Sequence, residues 1–223
     1  DEGANTFGSI AMACANGDAD IGRKGSLMVP NLESLGIYSA TRLSTGLTFP
    51  NTDSTIGTYA VAKERSKGKD TPTGHHEIVG FTNVVGWHTF SEVVPVFPEK
   101  QMKTLMKKAK LSGILGNKHA SGEEIIKEFG EKHLNCGCPI VYTSADSVLQ
   151  IAAHEHVFAL DQLYKTCEIA AEIFDELRVQ RIIARPFLGE KKDNFFRTKN
   201  RKDFISPPPI DTLCDKVIKS GKK

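Results

Sequence analysis

Hydrophobic residues recur at helical spacing in several stretches of the chain, and these stretches predict its helices. Phe7, Ile10, Ala11 and Cys14 fall on one face, and Gly17 is placed to end that helix. Pro30 and Gly36 bound a short second helix. The remaining predicted helices have apolar positions within residues 102–109, 125–129 (behind a Ser121–Glu124 capping box), 163–177 and 213–218.

Apolar runs without helical spacing predict strands. Residues 140–143 and 181–184 flank a predicted helix, so we expect a parallel pair joined by a crossover. Residues 58–61 suit a short strand. Residues 16–26 and the Ser-, Thr- and Gly-rich residues 39–56 predict irregular segments, and Ser206-Pro207-Pro208-Pro209 predicts a stiff linker. The chain is therefore expected to be α/β.

Composition narrows the classes of protein. The 223 residues are 39% hydrophobic, which is enough for a core in one or two domains. A net charge of +2, from 29 basic and 27 acidic residues, does not indicate a nucleic-acid partner. No apolar run approaches the roughly 20 residues of a membrane span. The five cysteines form no disulfide framework, and Cys136-Gly137-Cys138 lacks a second pair of zinc ligands, so reduced thiols and a cytoplasmic location are expected.

Residues 66–80 abandon hydrophobic periodicity, which is typical of a surface loop or a site. Pro72 is expected to keep Thr71 out of helical geometry, so that the hydroxyl projects from an extended turn. Lys69 and Asp70 could stabilise phosphate charge or hold a metal shell. The alternative is an ordinary Thr-Pro turn in which Asp70 accepts from the local backbone.

A second polar run, residues 142–147, follows the predicted strand 140–143. Ligands of open α/β sheets bind outside the carboxyl ends of strands, so these hydroxyls and this carboxylate suit a sugar. The alternative is that Asp146 or Ser147 caps a following helix. His154 and His156 would lie on different sides of a helix, which argues against a metal site there.

Arginines form the third candidate group. Arg181 and Arg185 flank a predicted strand, and Arg197 and Arg201 lie in a polar stretch without a core pattern. Guanidinium groups bind phosphate oxygens in a bidentate way, whereas dispersed surface ion pairs are the usual alternative.

Together these segments resemble the bacterial-type phosphopentomutases of the alkaline phosphatase superfamily. The likeness runs in order along essentially the whole chain. The runs that carry it are residues 30–32, 68–75, 115–118, 120–122, 140–153 and 182–187, Arg197-Thr198 and Asn200-Arg201.

The resemblance implies part of an α/β/α core, residues 1–86, that carries the phosphoacceptor loop. An inserted α+β cap would occupy residues 87–209, and residues 210–223 would return toward the core. Thr71 would be the hydroxyl that is phosphorylated between turnovers. The cap residues expected to face the pentose phosphate are Ser144, Asp146, Arg181, Ile183, Arg197 and Arg201.

The resemblance also implies two Mn²⁺ ions, with their ligands expected outside this chain. Such ions lower the pKa of a hydroxyl and neutralise charge on a transferring phosphoryl group. The chain is accordingly expected to be a fragment that is inactive alone. It departs from the family pattern at His76, where Trp is usual, and at Lys202, where His is usual.

Three functional hypotheses follow. The first is a manganese-dependent isomerase of nucleoside salvage that interconverts (deoxy)ribose 1-phosphate and 5-phosphate through a phosphothreonine and a bisphosphate intermediate. The second is a non-catalytic module that binds a sugar phosphate. The third is a phosphatase or a phosphoglycerate-type mutase of the same superfamily, against which residues 142–147 argue.

Overall fold

The computed structural model describes residues 5–19, 25–49, 55–68, 70–144 and 146–222. The chain divides into two compact units, Asp1–Lys63 and Glu64–Lys223. The domain boundaries at residues 86 and 209 rest on the resemblance and stay a prediction.

The first unit contains the helices α1 (Thr6–Asn16), α2 (Pro30–Leu35) and α3 (Ile37–Thr45). The predicted ends of the first two are confirmed, because Gly17 and Gly36 take left-handed conformations with φ of 81° and 102°. A Cβ on Gly36 would also lie 2.6 Å from the Tyr59 ring, so a side chain is excluded there. Tyr38 is buried and stacks on Phe49 with ring centroids 4.5 Å apart.

Two predictions in this unit are wrong. Residues 37–45 are helical, although their Ser- and Thr-rich composition predicted irregular structure from residue 39. The Thr41 and Thr45 hydroxyls donate to the carbonyls four residues earlier, at 2.8 Å each, so they do not compete with the helical backbone bonds. Residues 58–61 form no strand, since no neighbouring strand is available to them in the described part of the chain. Residues 50–54 lie outside the described residues.

The second unit contains one six-stranded sheet and five helices in the described residues. The strands are β1 (Leu115–His119), β2 (Ile140–Thr143), β3 (Val148–His154), β4 (Arg181–Leu188), β5 (Phe196–Arg197) and β6 (Lys202–Ile205). The helices are α4 (Thr71–Ile78), α5 (Glu99–Lys108), α6 (Gly122–Cys136), α7 (Leu160–Asp175) and α8 (Leu213–Lys219).

The sheet mixes parallel and antiparallel pairs. β1 and β2 are parallel, β2 and β3 are antiparallel, and β3 and β4 are parallel. The predicted parallel pair of residues 140–143 and 181–184 is therefore wrong, because β3 lies between them. The whole of β3 is buried, and a strand buried on both faces has no alternation of polar and apolar positions that would predict it.

Helices cover the two faces of the sheet with separate cores. Ile140, Tyr142 and Phe187 pack with Ile125 and Ile126 of α6. Val141, Ile151 and Ile182, from the other face, pack with Leu105 of α5 and Leu163 of α7. The alternation of side chains along each strand separates these sets, and the result is the mixed α/β fold that the sequence predicts.

β5 and β6 pair with the same edge of β4, one after the other. Ala184 pairs with Lys202 and Phe187 pairs with Arg197, so residues 198–201 lie opposite only Arg185 and Pro186. We call residues 198–201 the bulge loop. Pro186 has no N–H to offer a partner strand, which suits an interruption of the ladder at this point.

The predicted helices of this unit are confirmed with small changes at their ends. Leu177 lies beyond α7, and the Ser121 side chain accepts from the Glu124 backbone N–H as a cap should. Residues 66–80, predicted to be a loop or a site, contain α4. None of the helices in the described ranges is long and apolar enough to cross a membrane.

Candidate functional site

Thr71 is the first residue of α4, and its side chain is exposed. The expected extended turn is therefore wrong at Thr71 and lies one residue earlier, at Asp70, with φ −128° and ψ 151°. Pro72 is compatible with this start because the first N–H groups of a helix have no intrahelical acceptor. Lys69 lies outside the described residues.

Asp70 fixes the start of α4 through Thr73. Its Oδ1 accepts from the Thr73 backbone N–H at 2.8 Å, and its Oδ2 accepts from the Thr73 hydroxyl at 2.9 Å. The expectation that Asp70 accepts from the local backbone is thus confirmed. Because Thr73 engages both oxygens, the Asp70 carboxylate supports the helix start.

Thr73 is fully buried and links three parts of the unit, which the sequence did not reveal. Its hydroxyl oxygen accepts from Trp87 Nε1 at 2.9 Å and from Gln180 Nε2 at 3.3 Å. The backbone N–H of Gln180 in turn donates to Ser147 Oγ at 3.1 Å. The Thr71 segment and residues 142–147 are therefore joined through one glutamine.

A cavity of about 250 Å³ lies between these two segments. Asp70 and Asp146 both line it, and the other lining residues are Lys67, Gly68, Gly86, Trp87, Thr89 and Ser147. The cavity places polar groups from residues 68–77 and residues 142–147 around one space, as a shared binding site requires.

The two histidines after Thr71 differ in their surroundings. His75 Nδ1 lies 2.7 Å from the Thr71 carbonyl oxygen, which accepts a hydrogen bond from it. His76 stands where the family pattern has Trp; burial lowers its pKa, and its Nδ1 is buried without a partner in the described part of the chain.

Ser144, Asp146 and Ser147 lie between β2 and β3 and do not begin a helix. The capping alternative is therefore wrong for this run, and Ser147 accepts from Gln180 instead. Ser144 is half-buried, and Ala145 lies outside the described residues. The half-exposed Asp146 carboxylate lies 3.5 Å from Arg181 Nη2.

Arg181 lies between two carboxylates. Its Nη1 is 3.6 Å from Asp203 Oδ2, and Asp203 also accepts from Arg201 Nε and Nη2 at 2.7 Å each. These bonds raise the pKa of Arg201. These ion pairs form a continuous series from Asp146 at the cavity, through Arg181 and Asp203, to Arg201 in the bulge loop.

Arg181, Ile183 and Arg185 alternate along β4 and share the face that α6 partly covers. Ile183 is only 2% exposed, so it packs at the centre of this face. Arg197 lies on β5 with its Nη2 2.8 Å from Glu123 Oε1. The structure therefore connects three of the five predicted polar cap residues, Asp146, Arg181 and Arg201. Arg197 joins them only by its proximity to Tyr142 and Arg185, and Ser144 has no side-chain bond to them in the described residues.

Arg185 belongs to the arginine group that the sequence indicated, but it is not among the cap residues that the resemblance implies. Its Nε donates to Gln150 Oε1 at 2.9 Å, and the fully buried Tyr142 hydroxyl donates to the same oxygen at 3.2 Å. Burial lowers the pKa of Arg185, and the nearby Arg201 and Arg197 lower it further. Among the described residues Arg185 has no ion pair, which favours binding of an anion at this face. The i, i+2, i+4 spacing with Arg181 and Ile183 was the available signal.

No group of three or more His, Cys, Asp or Glu side chains in the described ranges is arranged to hold a metal ion. These residues do not fit a two-manganese centre, and the expectation of ligands elsewhere stays a prediction. The geometric argument against His154 and His156 was wrong in its premise, since they lie at the end of β3 and in the following turn. His154 Nε2 is 2.9 Å from the Gly189 carbonyl oxygen, and its Nδ1 accepts from the His156 N–H at 3.3 Å.

The fold and this face define a mixed α/β protein with arginines and hydroxyls suited to an anionic ligand. No protein-family model matches the chain. It is 49% identical over 225 residues to the phosphopentomutase of Chelativorans sp. (strain BNC1), covering 100% of this chain and 55% of that protein. It is 51% identical over 225 residues to the phosphopentomutase of Yersinia enterocolitica, and 50% identical over 224 residues to that of Photorhabdus laumondii. Both alignments cover 98% of this chain and 55% of the relative.

The chain is homologous to the phosphopentomutases, which are enzymes, along essentially its whole length. It spans about half the length of the curated relatives that it matches.

Proposed function

We propose that the protein containing this chain is a phosphopentomutase that interconverts (deoxy)ribose 1-phosphate and (deoxy)ribose 5-phosphate. The observation that carries the proposal is the identity of about 50% to phosphopentomutases over essentially the whole chain. An exposed hydroxyl at Thr71 and a cavity that reaches Asp146 support it. Thr71 then acts as the phosphoacceptor, and the cap face of Ser144, Asp146, Arg181, Ile183, Arg197 and Arg201 binds the pentose phosphate.

The reaction balances as two phosphoryl transfers. The phosphothreonine gives its phosphoryl group to the free hydroxyl of the bound monophosphate, so the Thr71 Oγ–P bond breaks and an O–P bond forms on the sugar. The Thr71 oxygen regains the proton that the sugar hydroxyl loses. After the bisphosphate reorients, Thr71 takes the other phosphoryl group, and the released sugar oxygen is protonated.

The described residues contribute position and charge to these steps. Thr71 lies at the N-terminal end of α4, where the helix dipole stabilises a phosphate group. His75 and Asp70 hold the backbone and the helix start around it. Arginines bind phosphate oxygens in a bidentate way, and Arg185 is the one of this face without an ion pair in the described residues. In the proposal Arg181 and Arg201 bind the phosphate that is not being transferred in competition with Asp146 and Asp203. The described residues provide no ligand set for the manganese ions.

The test is a mutase assay on the protein encoded by the complete reading frame that contains this chain. Thr71→Ala should abolish conversion of ribose 1-phosphate to ribose 5-phosphate and remove the phosphoryl mass from the peptide that carries residue 71. Thr104→Ala is the matched control, because it removes a threonine hydroxyl from α5, a helix remote in sequence from this segment. Full turnover by Thr71→Ala would overturn the assignment of the phosphoacceptor.

A second candidate is binding of a sugar phosphate without turnover, which the guanidinium groups of Arg181, Arg185 and Arg201 alone support. Ribose 5-phosphate would then bind to the protein while neither the wild type nor Thr71→Ala interconverts the two monophosphates. This outcome would replace the mutase proposal.

A further inference from the structure

The bulge loop carries the arginines of the proposed cap face at its borders. Arg197 immediately precedes it on β5, and Arg201 is its last residue. Four residues of the loop oppose two residues of β4, so the ladder does not determine the loop conformation. Other contacts must therefore fix the directions in which these two guanidinium groups project.

Glu155, in the turn that follows β3, provides these contacts. A single carboxylate oxygen, Oε1, accepts from the Thr198 hydroxyl and, at 3.0 Å, from Asn200 Nδ2. The backbone N–H of Glu155 donates to the Phe187 carbonyl at 3.1 Å, which ties the turn to β4. The carboxylate is thus held against the sheet while it binds two side chains of the loop.

Three further hydrogen bonds hold the same residues. The Asn200 N–H donates to Thr198 Oγ1 at 3.3 Å, and the Tyr164 hydroxyl of α7 donates to the Asn200 carbonyl at 2.8 Å. The Thr198 N–H donates to the Pro186 carbonyl at 3.1 Å. Thr198 and Asn200 are therefore fixed, whereas the side chain of Lys199 between them is exposed.

We propose that Glu155 is a positioning residue that holds Thr198 and Asn200 and thereby presents Arg197 and Arg201 to the phosphate of a sugar phosphate. The inference rests on the proposed function for the identity of the ligand, and on the contacts above for the order of the loop. Glu155 contacts none of the arginines of the cap face, so its effect on the ligand is transmitted through the loop.

The contacts of the Glu155 carboxylate allow its role as a hydrogen-bond acceptor to be tested separately from its charge. Both loop side chains donate to the same oxygen, and a glutamine carbonyl also has two acceptor sites. Glu155→Gln should therefore keep the loop ordered, whereas Glu155→Ala leaves both donors without their acceptor. Glu172→Ala, which truncates an exposed glutamate on α7, is the matched control.

The experiment measures two properties of the protein encoded by the complete reading frame and of these variants of it. Backbone amide exchange at Thr198 and Asn200 reports the order of the loop without any ligand. Calorimetric titration with ribose 5-phosphate reports how strongly the ordered loop contributes to ligand binding. We expect Glu155→Ala to accelerate exchange at both amides and to weaken binding by about tenfold, the scale of effect that misplacing a binding group produces. Glu155→Gln and Glu172→Ala should stay close to the wild type in both.

The outcomes separate this inference from the proposed function. If the wild type binds ribose 5-phosphate and Glu155→Ala binds it equally well with unchanged exchange, the positioning role is wrong and the function stands. If Glu155→Gln is as impaired as Glu155→Ala, the charge matters rather than the acceptor, which also overturns the role. A wild-type protein that takes up no ribose 5-phosphate overturns the ligand in both proposals. Should Glu155→Ala fail to fold, Asn200→Ala removes one donor from the exposed loop and replaces it in both measurements.

Discussion

Two threonines separated by one residue have opposite roles at the start of α4. Thr71 is exposed, and its backbone carbonyl accepts a hydrogen bond from His75. Thr73 is fully buried and binds Asp70, Trp87 and Gln180 through one hydroxyl. The proposed phosphoacceptor is thus supported by a neighbour whose hydroxyl is used entirely for structure.

Replacing Thr73 by Val should destabilise the protein by about 2 kcal/mol, because one carboxylate and two N–H donors lose a buried partner. Thr71→Val is the matched control and should change the free energy of unfolding by less than about 0.5 kcal/mol, as exposed substitutions do. Urea unfolding followed by Trp87 fluorescence measures both. Equal effects of the two variants would contradict the division of roles.

At the scale of elements, His133 joins the last turn of α6 to the end of β3. Its side chain is fully buried, with Nδ1 2.8 Å from the Cys138 carbonyl oxygen and Nε2 accepting from the His154 backbone N–H at 2.8 Å. One nitrogen donates and the other accepts, so the ring must be neutral. Burial lowers the pKa of His133 below its ordinary value of 6.5, and the nearby His154 lowers it as well.

This lowered pKa makes stability depend on pH in a defined direction. Below about pH 6.5 the unfolded chain binds a proton at His133 that the folded protein does not, so stability is fully present above that value and falls as pH decreases toward the folded pKa. His133→Phe should be less stable at neutral pH but lose less stability between about pH 7 and 5. The exposed His156→Phe is the control and should keep the wild-type slope. An unchanged slope in His133→Phe, measured by urea unfolding at several pH values, would sink the assignment.

At the scale of the whole molecule, the complete six-stranded sheet and both of its cores belong to Glu64–Lys223. The exposed residues 60–65 at the division have neither helix nor strand. A segment with its own core should fold alone.

We therefore expect residues 64–223, expressed alone, to unfold cooperatively in urea and to retain the protected amides of β2, β3 and β4. Limited proteolysis of the full chain should cut first near residues 60–65, which N-terminal sequencing of the product will identify. A non-cooperative transition in the isolated segment would show that the sheet depends on residues outside it.

Whether the sequence predicted a given helix or strand depended on how that element is buried. α6 was found because Ile125, Ile126 and Phe129 repeat at helical spacing behind a cap residue. β3 was missed because a strand buried on both faces shows no alternation. β5 has only two residues, both exposed, and β6 has four, of which the two ends are exposed, so neither is long enough to show a hydrophobic pattern.

The residues of the candidate site were likewise predictable only where the local sequence pattern marks them. Thr71, Asp146 and the arginines stand out in sequence because they are polar and lie outside the apolar pattern. Thr73, Gln180 and Glu155 are equally polar, but their importance comes from partners distant along the chain. No local spacing encodes a bond such as that between Thr73 and Gln180. The proposed roles of the site residues come from the resemblance, whereas the residues that hold them in place are visible only in the structure.

The bulge loop has a consequence for how such a protein can change over time. The ladders at Arg197 and Lys202 act as fixed ends, so a substitution or an insertion between them does not shift the register of the sheet. Lys199 and Arg201 are the exposed residues of this segment whose side chains do not bind Glu155. In the proposed function, ligand preference can therefore change through substitutions in these four residues while the sheet stays the same. Changes that affect binding are thereby separated from changes that affect folding within one polypeptide.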